Sequence, residues 1–103
     1  MVYFDFDKFT LSTKSIQTLK SVVRAMNDNA EMIITISGHA DERGTREYNL
    51  AIGQRRGDAV KNYLLLNGIN EKRMTVKSFG EEYPLVSGSN EMSWSKNRRA
   101  EIN

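Results

Sequence analysis

Hydrophobic residues along this chain follow two spacings, one typical of helices and one typical of strands. Behind the N-cap candidates Ser12 and Thr13, apolar residues recur every three or four positions and predict a first helix. They are Ile16, Leu19, Val22, Val23 and Met26. A second helix is predicted from about Arg46, with Thr45 as its N-cap and Asn67-Gly68 at its end. Its apolar stripe consists of Tyr48, Ala51, Ile52, Ala59, Val60, Tyr63 and Leu64.

Four shorter segments have the composition of β-strands, namely residues 2–6, 32–37, 74–79 and 99–102. The second segment is apolar on both faces, which predicts a central strand that is covered on both sides. Residues 91–96, which include the only tryptophan, are expected to form one helical turn. The order of elements predicts an α+β sandwich of βαβαβ type, in which two main helices pack on one face of a mixed four-stranded sheet. Right-handed βαβ crossovers should make part of that sheet parallel.

One charged residue interrupts the apolar stripe of the second helix. Arg56 follows Ile52 by four positions and precedes Val60 by four, so it shares their face. Because an isolated buried charge is costly, the residue needs a partner. Either its side chain extends from the edge of the stripe to a structural carboxylate, or it is held beside Asp41 to meet a ligand. Spacing alone slightly favours the first interpretation.

The size and composition of the chain suit a single domain over residues 1–103. The absence of cysteine excludes disulfides, thiolate metal sites and a cysteine nucleophile. No apolar run approaches the ~20 residues of a membrane span. No signal peptide is visible either, so any segment that exports or anchors the natural protein is expected to lie outside this sequence.

The net charge of +2 argues weakly for a nucleic-acid partner, and the arrangement of the charges argues against one. Acidic and basic residues are interleaved throughout the chain. The two densest basic spots, at residues 55–56 and 96–99, lack the interspersed aromatic residues of a single-strand binder. A solvated surface with ion pairs is the favoured interpretation, and no nucleic acid is expected as a partner.

Metal and acid–base chemistry are also disfavoured. Asp5 and Asp7 could face the same way on a strand, but Asp7 is expected to lie past the strand end in a turn. His39 is the only histidine, so a metal site would lack further nitrogen or sulfur ligands, and a role in shaping the loop is favoured. Asp41 and Glu42 are adjacent in a loop, a poor arrangement for two carboxylates that face each other across a sugar. We therefore expect no cofactor, no metal and no enzymatic activity.

Several blocks of the sequence resemble the OmpA-like peptidoglycan-binding domain family. The matching blocks cover nearly the whole chain in the right order and comprise residues 2–8, 38–51, 54–56, 78–84 and 97–102. The most specific block reads Gly38-His39-Ala40-Asp41-Glu42-Arg43-Gly44-Thr45. It is most similar to the peptidoglycan-associated lipoprotein branch of this family.

The resemblance implies non-covalent binding of the peptidoglycan stem peptide. The family binds the free end of meso-diaminopimelate, which carries an ammonium and a carboxylate on one carbon. By matching position, Asp41 would bind the ammonium and Arg56 the carboxylate. Phe6 and Asp7, after the first strand, would supply further contacts. The same pocket would be lined by Thr45, Asn49 and Ile52.

The chemistry of these residue types agrees with that assignment. Arginine presents a planar fork for a carboxylate, whereas an ionised aspartate only accepts and therefore suits an ammonium. A ligand that lacked one charge would leave one protein group unpaired, so such a site discriminates strongly. With the resemblance added, the second interpretation of Arg56, as a ligand-binding residue, is favoured.

The same resemblance implies a place in the cell. It predicts a tether between the outer membrane, or an envelope complex, and the cell wall, at the periplasmic face of the outer membrane of a Gram-negative bacterium. It also implies a Tol-Pal type system and, as a second partner, the periplasmic β-propeller protein of that system. An outer-membrane porin or a flagellar stator protein with this domain remains the alternative. Which diamino acid the host wall carries stays open.

Two departures from the family pattern concern the anchor and the second helix. The lipid-bearing cysteine of a lipoprotein is absent from the sequence. Gly57 stands where alanine is common and is expected to loosen the helix beside Arg56. Together with Gly53 it either allows close packing or leaves space near Ile52.

Overall fold

Strands and helices alternate along the chain in the order that the sequence predicts. The computed structural model describes residues 1–103. Its strands are β1 (Val2–Tyr3), β2 (Ile34–His39), β3 (Met74–Gly80) and β4 (Arg99–Ile102). Its α-helices are α1 (Thr13–Asp28), α2 (Arg46–Leu66) and α3 (Glu91–Asn97), and a short 3-10 helix, Glu71–Arg73, precedes β3. No helix combines the length and the apolar character that crossing a membrane requires.

The four strands form one mixed sheet in the order β1-β4-β2-β3. β2 and β3 are parallel, with Ile34 opposite Met74 and Ile36 opposite Val76. β4 runs antiparallel to both of its neighbours, β1 and β2. The predicted α+β class and partly parallel sheet are therefore confirmed, and β2 lies inside the sheet as its apolar pattern indicated.

Side chains at the predicted positions cap the two long helices. The hydroxyl of Ser12 accepts the backbone N–H of Ser15 at 3.1 Å, and that of Thr45 accepts the N–H of Tyr48 at 3.1 Å. Caps of this kind stabilise a helix by about 1 kcal/mol each. Asn67 is the C-cap of α2, and the next residue, Gly68, has a φ of 87°, which only glycine adopts without strain.

The hydrophobic core lies between the sheet and helices α1 and α2, which pack side by side on one of its faces. Its members come from every strand and from both long helices. The fully buried side chains include Val2, Leu19, Met26, Ile36, Val60, Leu64 and Ala100.

The buried face of α2 differs from the predicted stripe. Tyr48 and Ala51 are exposed, whereas the small residues Gly53 and Gly57 are buried. A Cβ atom at Gly57 would lie 2.7 Å from Cγ1 of Val76, so glycine lets the helix backbone approach the sheet. Of the two alternatives for these glycines, close packing is therefore the outcome.

Four strand boundaries differ from those predicted, and the shifted ends of β1 and β2 shape one end of the sheet. β1 ends at Tyr3 because the chain turns between Asp5 and Lys8, where the N–H of Lys8 donates to the carbonyl oxygen of Asp5 at 3.1 Å. β2 continues through Gly38 to His39, which pair with β3. The loop after β2 therefore begins only at residue 40.

Candidate ligand-binding site

A small cavity lies past the end of β2, between the turn after β1 and the first half of α2. Its volume is about 20 Å³. The lining residues are Phe6, Asp7, Ala40, Asp41, Arg43, Tyr48, Asn49, Ile52 and Arg56. Six of the seven predicted site residues are thus brought together. The seventh, Thr45, is exposed at the start of α2, where its hydroxyl caps the helix and does not line the cavity.

Arg56 is almost completely buried, with 1% of its surface exposed. Three backbone carbonyl oxygens accept hydrogen bonds from its guanidinium: Nε donates to Lys8 at 2.9 Å, Nη1 to His39 at 3.0 Å and Nη2 to Asp5 at 3.1 Å. The interpretation in which it extends from the helix edge to a structural carboxylate is therefore wrong. Because a guanidinium has five N–H groups, one remains on each terminal nitrogen.

The burial of Arg56 leaves its charge intact. Desolvation lowers the pKa of Arg56 to about 10, and the nearby carboxylate of Asp41 opposes that fall. The side chain is a cation at neutral pH. It can therefore offer its two remaining N–H groups to an anion as charge-assisted donors.

The turn after β1 is held in place by Arg56. The carbonyl oxygens of Asp5 and Lys8, at the two ends of this turn, both accept from the guanidinium. Between them lie Phe6 and Asp7, which line the cavity. Asp7 has a φ of 55°, a left-handed conformation that is uncommon for residues other than glycine and is often found at functional sites.

Asp41 is also buried, with 5% exposure, and arginine side chains surround it. Its Oδ1 accepts from the backbone N–H of Arg43 at 3.0 Å and from Nε of the same residue at 3.3 Å, while its Oδ2 accepts from Nη2 at 2.8 Å. Nη1 of Arg98 lies 3.6 Å from Oδ2. Burial alone would raise the pKa of Asp41, but the hydrogen bonds and charge of Arg43, with the charge of Arg98, hold it below its ordinary value. Asp41 is an anion at neutral pH.

Arg43 is partly exposed, and its guanidinium covers the buried Asp41 and lies against two aromatic rings. Its guanidinium carbon is 3.9 Å from the ring centroid of Phe6 and 4.0 Å from that of Trp94. Its side chain is 31% exposed, and Glu91 is 3.8 Å away. The indole N–H of Trp94 donates to Glu42 at 3.0 Å, which fixes the ring over the guanidinium. We call Phe6, Arg43 and Trp94 the arginine stack.

The remaining wall of the cavity belongs to α2. Asn49 is buried and its amide donates to Glu81 at 3.0 Å, which joins the helix to the loop after β3. Ile52 is buried one turn further along and presents an apolar surface. The cavity thus combines one buried anion, one buried cation with free donors, and an aliphatic wall.

His39 does not shape the loop as predicted, because it is the last residue of β2. Its ring is buried, stacks on Phe79 at a centroid distance of 5.6 Å, and places Nε2 3.5 Å from Glu101. Burial, assisted by the charge of Arg99, lowers the pKa of His39 to about 4 although Glu101 opposes the shift. The imidazole is therefore neutral at pH 7. Its contribution to the cavity is its carbonyl oxygen, which holds Arg56.

The residues that surround Asp41 are not among those predicted from the sequence. Arg43 follows Asp41 by two positions in one loop, so proximity in sequence was an available signal, although loops have no periodicity that orients side chains. Tyr48 was assigned to the core and instead lines the cavity. Arg98 and Trp94 come from the other end of the chain, and no local pattern relates them to the site. No three side chains of histidine, aspartate or glutamate cluster where a metal ion could be held.

Fold and site together define a class of protein: an α+β domain with a buried carboxylate and a buried guanidinium in one cavity at the end of its sheet. A family model described as OmpA family matches residues 3–98, so the chain belongs to the OmpA family.

Relatives of known name lie in the same family. The chain is 44% identical over 99 residues to a peptidoglycan-associated lipoprotein of Pasteurella multocida, an alignment that covers 96% of this chain and 66% of that protein. The curated relatives that we compared extend further, since the chain spans 56–66% of their length. These relatives are named for association with peptidoglycan and not for a reaction, in agreement with the expectation that the chain is not an enzyme.

Solved structures share this fold. The crystal structure of the peptidoglycan-associated lipoprotein from Burkholderia pseudomallei superposes with a TM-score of 0.95 at 40% identity, and covers 98% of this chain and 86% of that chain. The C-terminal domain of Helicobacter pylori MotB superposes with a TM-score of 0.84 at 18% identity, and covers 100% of this chain and 83% of that chain. The second likeness concerns the fold alone.

Proposed function

We propose that residues 1–103 form one peptidoglycan-binding domain that holds the free end of meso-diaminopimelate without forming a covalent bond. Asp41 binds the ammonium of that group and Arg56 binds its carboxylate. Phe6, Asp7, Asn49 and Ile52 complete the walls, and Thr45 acts only through the cap of α2, the helix that carries Arg56. In the cell the domain tethers the outer membrane, or an envelope complex, to the wall.

The observation that carries this proposal is the pairing of two buried opposite charges in one cavity. Arg56 keeps one free N–H on each terminal nitrogen, which suits a carboxylate approached by a planar fork. Asp41 is ionised and offers only acceptors, which suits an ammonium. Peptidoglycan is the wall polymer whose stem peptides present both groups on one carbon, and the names of the relatives point to the same polymer.

The relatives also support the place that we propose in the cell. We infer that the chain acts in a Tol-Pal type system at the periplasmic face of the outer membrane, with the β-propeller protein of the Tol system as a second partner. The identities of 38–44% to proteins named peptidoglycan-associated lipoprotein support this choice. An outer-membrane porin or a stator protein that carries the domain is the alternative function.

Calorimetric titration with a diaminopimelate-containing muropeptide tests the proposal. A lysine-containing stem peptide is the matched ligand control, because lysine ends in an ammonium without a carboxylate. We expect Asp41→Asn to weaken binding of the diaminopimelate peptide by about 2–5 kcal/mol, since it strands the desolvated ammonium. Arg56→Lys should also weaken binding, since the ligand carboxylate loses its bidentate partner. Arg56→Lys keeps the positive charge and removes only the fork.

Two residues of α2 outside the cavity serve as matched controls. Arg55→Lys and Asp58→Asn make the same two changes of side chain there, and both should bind like the wild type. Equal affinity for the two stem peptides would refute a carboxylate-binding role for Arg56. Failure of the wild-type domain to bind either peptide would refute the proposed function.

A further inference from the structure

The carboxylate that suits the ligand ammonium already holds a cation. Oδ1 of Asp41 accepts from Nε of Arg43 at 3.3 Å, and Oδ2 accepts from Nη2 of the same residue at 2.8 Å. The end of a diaminopimelate side chain carries an ammonium, a carboxylate and the carbon that joins them. The guanidinium beside Asp41 must therefore move before the ammonium of that group can take its place.

The partners of each lining residue indicate which side chain moves. Arg56 is bonded to three backbone carbonyls, and Asn49 is buried and bonded to Glu81. Arg43 differs, because its guanidinium is partly exposed and contacts only the side chains of Asp41, Phe6, Trp94 and Glu91. Its departure breaks no backbone hydrogen bond.

We propose that Arg43 is a specificity-determining residue that occupies the ammonium subsite of the free protein and is displaced by the ligand. This inference rests on the proposed function: in the free protein the guanidinium of Arg43 takes the position on Asp41 that the ligand ammonium takes in the complex. The two cations exchange on the same carboxylate.

The exchange conserves charge within the site. Asp41 loses the side-chain hydrogen bonds of Arg43 and gains those of the ligand, while the backbone N–H of residue 43 and the nearby Arg98 remain. A ligand with a carboxylate alone has nothing to offer Asp41 in place of Arg43. A zwitterionic ligand therefore displaces Arg43 from Asp41, whereas an anionic ligand leaves Arg43 in place.

Replacing Arg43 by glutamine tests the proposal by calorimetry with the diaminopimelate muropeptide. A competitor that fills the subsite nine-tenths of the time weakens the apparent affinity about tenfold. We therefore expect Arg43→Gln to bind that peptide about tenfold more tightly than the wild type. Arg46→Gln is the matched control, since it removes an exposed arginine that pairs with Glu82 outside the cavity, and it should leave affinity unchanged within twofold. Unchanged or weaker binding by Arg43→Gln would overturn the proposal.

The only tryptophan of the chain gives a second readout that needs no variant. Trp94 lies 4.0 Å from the guanidinium of Arg43, so displacement of Arg43 changes the surroundings of the indole. We expect a saturable change in its emission with the diaminopimelate peptide. A matched peptide that contains 2-aminopimelate, which keeps the carboxylate and lacks the second amine, should cause none. The same change with both peptides would overturn the proposal.

The two failures can be told apart. If the wild type does not bind the diaminopimelate peptide, the proposed function falls and the exchange falls with it. If the wild type binds that peptide but Trp94 emission stays constant and Arg43→Gln brings no gain, the binding function stands and only the exchange is wrong.

Discussion

Two arginines line the same cavity, and their partners make them differ in nearly every physical respect. Arg56 is bonded to neutral carbonyl oxygens of the backbone, whereas Arg43 is bonded to the carboxylate of Asp41 and lies against two aromatic rings. Backbone carbonyls cannot leave without unfolding a turn or a strand end. A carboxylate, in contrast, accepts any cation that reaches it. The residue type alone therefore does not tell a fixed binding group from an exchangeable one.

The sharpest way to test this contrast is the same substitution at both positions. We expect Arg56→Gln to lower the free energy of unfolding by about 3–5 kcal/mol, because three carbonyl groups lose their donors and a buried space is left partly filled. Urea unfolding followed by circular dichroism measures the change. Arg55→Gln, at the neighbouring exposed position, should change stability by less than about 0.5 kcal/mol. A loss below about 1 kcal/mol at Arg56 would mean that the carbonyls find other donors.

Acidification should lower the free energy of unfolding through His39 before it protonates Asp41. The pKa of His39 falls from 6.5 in the unfolded chain to about 4 in the folded protein. The unfolded chain therefore binds the proton first, and the stability present above pH 6.5 is lost as the pH falls towards 4. The loss amounts to about 3 kcal/mol. The pKa of Asp41 lies below 3.8, so Asp41 stays ionised through most of this range.

Urea unfolding at several pH values between 4 and 7 measures this effect. His39→Gln should flatten the pH dependence, and the difference between the two proteins isolates the histidine from the carboxylates that also titrate near pH 4. An identical slope in His39→Gln would assign the acid sensitivity to other groups.

The smallest loss of folding stability is expected on substitution of Arg43. Arg43→Gln removes a partly exposed ion pair and two cation–π contacts, and Asp41 keeps the charge of Arg98 nearby. We expect the free energy of unfolding to fall by about 1 kcal/mol or less. Arg46→Gln, which removes an ion pair between two exposed side chains, is the control in the same assay. A loss at Arg43 as large as that at Arg56 would erase the contrast between the two arginines.

Much of the fold follows from local sequence. The caps at Ser12 and Thr45 and the bounds of β4 are found where hydrogen-bonding side chains and alternation predict them. The errors occur where a distant partner decides the outcome. β1 stops early because its continuation turns to meet Arg56, and β2 ends later than predicted because Gly38 and His39 pair with β3.

The site was predictable in part. The four-residue spacing from Ile52 placed Arg56 on the buried face, but its partners come from the turn after β1 and the end of β2, which helical periodicity does not describe. The apolar pattern also assigned Tyr48 to the core, because such a pattern considers only the hydrophobicity of side chains. It does not reveal that Gly53 and Gly57 allow the helix backbone to approach the sheet closely. Arg43 escaped notice because its place depends on Phe6 and Trp94, each remote from it in sequence.

One backbone contact sets how far apart the two charged subsites can lie. A Cβ atom on Gly38 would lie 1.7 Å from the carbonyl oxygen of Gly53, so no side chain fits between β2 and α2 at this point. Asp41 follows β2 and Arg56 belongs to α2, so this backbone contact sets the spacing between the loop and the helix that carry them. We therefore expect discrimination by ligand length: a homologue whose amine and carboxylate sit on neighbouring carbons, as in a β-amino acid, would satisfy one subsite and miss the other.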